Sequence, residues 1–240
     1  VKSAKIGKKI VTVCGVAKGS GMIAPNMATM LAFLVTDANL NSTELQSFLT
    51  VAVDDSFNMI SVDSDTSTND MVVCFASGQR SFSVTNKLER DAFQLLLTQV
   101  CQDLALMIIK DGEGATKLIE VTVKGAPNHT LAKKMALNIV NSPLIKTAIH
   151  GEDPNWGRVI MAIGKDPELK VNIDKVDISF GRQQVFSQGK PTGLSRDDVR
   201  EEMIGEKVVL TVNLNLQSGT GTAWGCDLSN EYITINTAYN

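Results

Sequence analysis

Aromatic residues make up only 5% of this 240-residue chain, histidines number two, and the formal net charge at pH 7 is −3. That near-neutral balance supplies neither the basic footprint of a nucleic-acid-binding protein nor a basic membrane surface. The expected partners therefore include no nucleic acid and no membrane. Long apolar runs are also lacking: none approaches the ~18 residues needed to span a bilayer. The N-terminus does not show the basic, apolar and small-residue succession of a signal peptide, and the expected location is cytoplasmic. Cys14, Cys74, Cys101 and Cys226 are widely spaced with no CxxC pair. This argues against a disulfide framework or a zinc site and for buried, reduced thiols, with no metal expected. His129 and His150 share no motif with a serine or cysteine, so a Ser-His-Asp triad has little support. A leading Met is missing too: the chain opens on Val1 within a charged, strand-like run, and is read as a fragment or a processed piece.

What is present is enough for a core. An apolar content of 43% can fill one large α/β domain or two small ones. The runs "KKIVTVCGV" (8–16) and "TMLAFLVTDA" (29–38) are β-branched or apolar and bounded by Gly, Pro and Asp, which predicts strands. "NSTELQSFLTVAVDDSF" predicts a helix from about Ser42, with a serine or threonine cap and a glutamate close behind. "NDMVVCFAS" predicts a strand. The stretch "LERDAFQLLLTQVCQDLALMIIKDGEGA" spaces Phe93, Leu96, Leu97, Val100, Leu104 and Ile108 at a helical period ended by glycine. "KLIEVTVKG" alternates as a strand, "HTLAKKMALNIVNS" reads as a helix stopped before Pro143, and "DPNWGRVIMAIG" as a helix from Asp153. "KVDISFG", "KVVLTVNLNL" and "EYITINTAYN" read as strands in the last third. The residues thus give a mixed α/β class with substantial antiparallel sheet.

Several constellations could carry chemistry. "DSDTSTND" (63–70) gathers Asp63, Asp65 and Asp70, but lacks the glycine and glutamate of a calcium loop. A turn in which these side chains satisfy their own backbone is expected there. "KGSG" (18–21) has its lysine on the wrong side of the glycines for a phosphate loop. "DGEGATK" (111–117) holds Glu113 between two glycines, more than a helix stop requires. In "GEDPNWGR" (151–158), Asp153 before Pro154 has the look of a helix cap with proline at the first helical position. The stretch "KGSGMIAPNMATMLAF" leads through glycines and Pro25 into Thr29. A threonine hydroxyl is a weak nucleophile unless a base takes its proton, and cleavage of Ala28–Thr29 would free an α-amine to do so. The reference pKa of that amine, ~7.7 to 8.0, leaves an appreciable unprotonated fraction near neutrality.

"AKGSGMIAPNMATMLAFLVTDA", "DTSTND", "KDGEGATK", "GEDPNWGR" and "TAWGCDLS" together resemble the ornithine acetyltransferases of arginine biosynthesis, the bifunctional glutamate N-acetyltransferase/amino-acid acetyltransferase family. The resemblance covers almost the whole chain. It implies self-cleavage at Ala28–Thr29, with residues 1–28 as the tail of an α chain and 29–240 as a β chain that begins with the nucleophile. Thr29 would take the acetyl group of N-acetylornithine and pass it to glutamate by ping-pong transfer. Lys18, Thr29, Glu113 and Asn236 match the family's substrate-binding positions. Their chemistry suits Glu113 to a substrate ammonium, Lys18 to a substrate carboxylate, and Asn236 to donating or accepting. No cofactor is implied; acetyl-CoA as a second acetyl donor stays open.

The fold that the resemblance implies is a layered, αββα-like α/β architecture shared with self-processing aminopeptidases, and the assembly is a heterotetramer of two α and two β chains. The family's oxyanion hole, a Thr-Gly pair, lies upstream of Val1, so a missing α-chain portion is expected as a partner. A further hydroxyl residue that follows in the family is not reached at Asn240. Cys14, Ser64, where glycine is usual, and His150 are smaller departures. Two other readings stand beside this one: a self-processing N-terminal-nucleophile aminopeptidase or amidohydrolase, and an uncleaved, non-catalytic metabolite-binding paralogue.

Overall fold

The computed structural model describes residues 1–24, 30–66, 69–80, 86–165 and 171–238. The described chain divides into two compact units, residues 1–60 with 65–108 and residues 61–64 with 109–240.

The first unit is a four-stranded sheet with two helices. β1 (Lys2–Ile6) and β2 (Lys9–Lys18) form an antiparallel hairpin, and β3 (Leu31–Thr36) runs antiparallel to β2, pairing Lys18 with Leu31 and Val13 with Thr36. Both sides of the predicted cleavage bond therefore lead into one sheet. α1 (Ser42–Asp54) follows, then β4 (Ile60–Ser61), which pairs in the other sheet, then β5 (Met71–Ala76), parallel to β3. α2 (Lys87–Lys110) closes the unit. Strand alternation places Ala32, Leu34 and Thr36 inside, while Phe33 and Val35 face outward.

On the inner face Phe93 of α2 meets Phe48 of α1 edge-on at 5.0 Å. Such a ring pair adds about 0.5–1.5 kcal/mol beyond burial. The cap of α1 is Asn41, not a serine or threonine: its Oδ1 accepts from Glu44 N–H at 2.9 Å while Glu44 reaches back to Asn41 N–H. By length and apolarity α2 alone among the described helices would suffice to cross a bilayer, although polar and charged residues interrupt its apolar run. Its Phe93, Leu97, Cys101, Ala105 and Ile109 are buried in the fold, as in the core helix of a globular unit.

The second unit is built on a seven-stranded mixed sheet in the order β4, β11, β6, β10, β7, β8, β9. β6 (Leu118–Ala126) leads to α3 (His129–Val140), α4 (Pro143–His150) and α5 (Trp156–Ile163). Then come β7 (Asp177–Phe180), β8 (Gln183–Ser187), β9 (Lys190–Pro191), α6 (Arg196–Arg200) and β10 (Lys207–Asn213), which is parallel to β6. β11 (Gly219–Cys226) is antiparallel to β6, and α7 (Asn230–Thr237) follows.

Two further expectations change, and two elements are new. "EYITINTAYN" is helix α7 rather than a strand: Ile233 and Ile235 alternate with Thr234 and Asn236 as in a strand, but Ser229 Oγ caps the Tyr232 N–H and fixes a helical turn. "DPNWGRVIMAIG" becomes helical only at Trp156, since Asn155, and not Asp153, caps it by accepting from Arg158 N–H at 3.0 Å. "GTGTAWGC", whose glycines hide a strand, is β11. Pro143 starts a helix of its own, α4, in addition to ending α3.

Candidate active site

In the first unit the described residue that follows the predicted nucleophile, Met30, is held by its neighbours. Ala28 and Thr29, together with Pro25, Asn26 and Met27, lie outside the described residues. Met30 is buried, and both of its backbone polar groups are taken: Asp70 Oδ1 accepts from Met30 N–H at 2.6 Å, and Met71 N–H donates to the Met30 carbonyl at 3.1 Å. Gly19, at φ +154, lies against Ile23 and Met30: a Cβ there would stand 3.1 Å from Ile23 Cδ1 and 3.5 Å from Met30 Cα. Lys18 is exposed at the end of β2, in register with Leu31. Its charge acts on Asp70, whose carboxyl burial pushes above the usual range while Met30 N–H and Lys18 pull it down.

In the second unit Glu113 and Asn236 meet although 123 residues separate them: Asn236 Nδ2 donates to Glu113 Oε2 at 3.0 Å. The same Nδ2 donates to Tyr232 O at 2.9 Å. An amide nitrogen has two hydrogens, so Asn236 has its Oδ1 acceptor left for a ligand. This narrows the sequence expectation that it could donate as well. The loop that carries Glu113 is bound to α7 by Ser229 Oγ, which donates to Gly114 O at 2.6 Å. Gly114 has φ +67, and a Cβ there would stand 2.4 Å from Tyr232 N. The second glycine of "DGEG" is thus required both by its backbone conformation and by the approach of α7.

Beneath that loop lies a buried carboxylate that sequence reasoning missed. The Asp227 side chain has 0% exposure. Its Oδ1 accepts from the N–H groups of Thr116 and Lys117, each at 2.8 Å, and its Oδ2 from Thr116 Oγ1 at 2.5 Å. His150 Nδ1 lies 2.7 Å from the same Oδ2. Burial alone would raise the Asp227 carboxyl, but these hydrogen bonds outweigh it and hold it below the usual carboxylate range. Buried Lys146 donates to Cys226 O beside it, and burial lowers the Lys146 ammonium from its ordinary value. Glu152 of "GEDPNWGR" pairs with Lys117 and Arg200, and Arg158 donates to Leu144 O. That motif builds the scaffold.

Two of the "DSDTSTND" carboxylates accept hydrogen bonds from far along the chain. Asp63 Oδ2 accepts from Tyr232 Oη at 3.4 Å, and Asp70 serves Met30. Ser64 has φ +70, a conformation that ordinarily favours glycine. No group of three or more His, Cys, Asp or Glu side chains among the described residues is placed to hold a metal ion.

A site with these motifs at this spacing can be compared with known proteins, and the ArgJ family model matches residues 1–240. The chain belongs to the ArgJ family. It is 50% identical over 235 residues to the arginine biosynthesis bifunctional protein ArgJ of Bacillus cereus, covering 97% of this chain and 57% of that protein. With the protein of the same name from Agrobacterium fabrum the identity is 45% over 245 residues, 99% of this chain and 59% of the relative. This ArgJ-family chain thus spans under three fifths of the length of the curated relatives it matches. A crystal structure of the arginine biosynthesis bifunctional protein ArgJ from Bacillus halodurans superposes with a TM-score of 0.83 at 45% identity, covering 86% of this chain and 98% of the crystallised one. The α/β fold with mixed sheets is shared with that protein.

Proposed function

We propose that this chain is the C-terminal part of an acyltransferase of arginine biosynthesis that moves an acetyl group from N2-acetyl-L-ornithine to L-glutamate. The proposed division is a cut at Ala28–Thr29, with 1–28 ending one chain and 29–240 forming the next. Thr29 Oγ attacks the acetyl carbonyl as its proton passes to the α-amine of residue 29, and the amide C–N bond breaks as ornithine leaves with that proton. The amine of glutamate then attacks the acetyl ester and returns the proton to Oγ, giving N-acetylglutamate. Lys18 would meet a substrate carboxylate, Glu113 the ornithine ammonium, and Asn236 would accept through Oδ1. The cycle needs no cofactor, and acetyl-CoA would enter only as an alternative acetyl donor.

The observation that carries this reading is the six-residue antiparallel register between β2 and β3, which would keep the two chains together after a cut between them. Coverage of 98% of a crystallised relative, against 57% of a whole one, is also what a polypeptide divided into two chains gives. The upstream portion would supply the oxyanion donors, each worth ~100- to 1,000-fold in rate. An apolar sheet face supports such a partner: Val16, Phe33, Val35 and Phe75 are 63%, 40%, 49% and 57% exposed on neighbouring strands. A pairing of two such α and two β chains, working in the cytoplasm, completes the proposal.

Co-expression with the upstream portion tests it. Intact mass should show cleavage before Thr29, and acetyl transfer from N-acetylornithine should depend on glutamate, with T29A uncleaved and inactive. Release of acetate at one rate with and without glutamate would make the protein a hydrolase. Activity without cleavage would refute the nucleophile.

A further inference from the structure

Ser229, between β11 and α7, is a buried residue whose hydroxyl serves two elements at once. Its Oγ donates to Gly114 O at 2.6 Å and, as the cap of α7, accepts from Tyr232 N–H at 3.4 Å. A hydroxyl has a single hydrogen, and here it goes to the loop. One atom thus ties the loop that carries Glu113 to the first turn of the helix that carries Asn236. The approach is close: a Cβ on Gly114 would stand 2.8 Å from Ser229 Oγ.

Helical geometry carries this tie to a second contact. Asn236 lies two turns beyond the cap, about 10 Å along the axis. Its Nδ2 donates to Glu113 Oε2 at 3.0 Å and to Tyr232 O at 2.9 Å. Loop and helix are joined by backbone at Gly114 and by side chain at Glu113, so the contacts close a ring. The residue before Glu113 is held as well, since Gly112 N–H donates to Ile109 O at 3.2 Å. A glutamate has several side-chain torsions, and those fixed in advance are not charged against ligand binding.

We propose that Ser229 is a positioning residue of the donor half-reaction: its hydroxyl fixes the Gly114 carbonyl, and through it aims the Glu113 carboxylate before the ornithine ammonium arrives. Ser229 touches neither substrate nor the reacting atoms, and no proton passes through it. Glutamate brings a side-chain carboxylate in place of that ammonium, so the second half-reaction does not draw on this aim. The role rests on the acyl-transfer reading above and on its pairing of Glu113 with the ornithine ammonium.

The test uses the protein co-expressed with its upstream portion and compares S229G and S229T with the parent. Glycine caps a helix nearly as well as serine, so S229G removes the bond to Gly114 O while largely sparing α7; S229T returns the hydroxyl. In a ping-pong cycle kcat/KM for each substrate reports its own half-reaction. For S229G, kcat/KM for N-acetylornithine should fall about three- to tenfold, the range for one neutral hydrogen bond, and the fall should lie in KM. Its kcat, and its kcat/KM for glutamate, should stay within about twofold of the parent. S229T should recover most of the loss. S229A, with the cap lost too, should show the same split at a lower urea midpoint. In an E113Q background the S229G change should cost less than about twofold, because the charge it aims is gone. A parental kcat/KM for N-acetylornithine in S229G, an equal loss for both substrates, or an undiminished loss in E113Q would overturn the role. A parent that moves no acetyl group from N-acetylornithine to glutamate would instead remove the acyl-transfer reading itself, so the two failures are distinguishable.

Discussion

Asp227 gives the sharpest stability prediction. Replacing it with alanine removes the acceptor of four hydrogen bonds, those from Thr116 N–H, Lys117 N–H, Thr116 Oγ1 and His150 Nδ1. Lys146, whose protonated form the Asp227 carboxylate favours, loses that neighbour. Breaking a buried, hydrogen-bonded charge cluster from one side costs about 3–5 kcal/mol. D227N retains one oxygen for the two N–H donors, its amide can donate to the Thr116 hydroxyl, and His150 can adjust its tautomer. About 1–2 kcal/mol is expected there. The assay is urea unfolding at pH 7 of the protein with its upstream portion, read as a midpoint shift at constant slope.

The pH dependence has a definite sign. The folded pKa of Asp227 is lowered, so the unfolded chain binds the extra proton as pH falls through the unfolded value near ~3.9. Its contribution is complete above that value and lost as pH drops through the lower, folded one. The gap between the parent and D227N should therefore shrink below about pH 4. An alanine variant less than about 1 kcal/mol from the parent, or a gap that widens in acid, would refute the assignment.

Three further outcomes are expected. E113Q should raise KM for N-acetylornithine about tenfold or more by losing the charge that faces its ammonium; an unchanged KM would count against that pairing. G114A should cost about 2 kcal/mol or more in urea unfolding, since its Cβ would stand 2.4 Å from Tyr232 N at φ +67, and a neutral change would mean that α7 does not hold the loop. Burial pushes the Cys74 and Cys101 thiols up to about 11 and about 12, so at pH 8 both should react with a thiol reagent at least about 100-fold more slowly than free cysteine. Labelling of either at the free rate would show that the core of the first unit opens.

Much of the fold was legible from periodicity. The strand at 31–36, the capped helix from Ser42 and the long apolar helix ending before Gly112 all follow from local rules. Where the reading failed, a distant contact decided. The β-branched alternation of α7 favours a strand until Ser229, held by Gly114 O, caps Tyr232 N–H. β11 carries glycines at 219, 221 and 225, which lower strand propensity, yet it pairs along β6 from Cys226 to Gly219. Asp153 and Asn155 both fit a helix cap in sequence, and only the geometry selects Asn155.

At the site the asymmetry has a different cause. Lys18, Glu113 and Asn236 are side chains in distinctive motifs, and resemblance could pick them out. Asp70 and Asp227 act on backbone groups, the N–H of Met30 and those of Thr116 and Lys117, and a peptide N–H looks alike at every position in a sequence. Polar loops also satisfy themselves locally more often than not, and nothing in "DSDTSTND" itself shows that Asp63 and Asp70 also bond partners 169 and 40 residues away. A carboxylate that acts through backbone N–H groups leaves no motif of its own. It becomes visible only as a buried side chain whose donors must be accounted for one by one, as at Asp227, where two backbone N–H groups, a threonine hydroxyl and an imidazole nitrogen meet a single carboxylate.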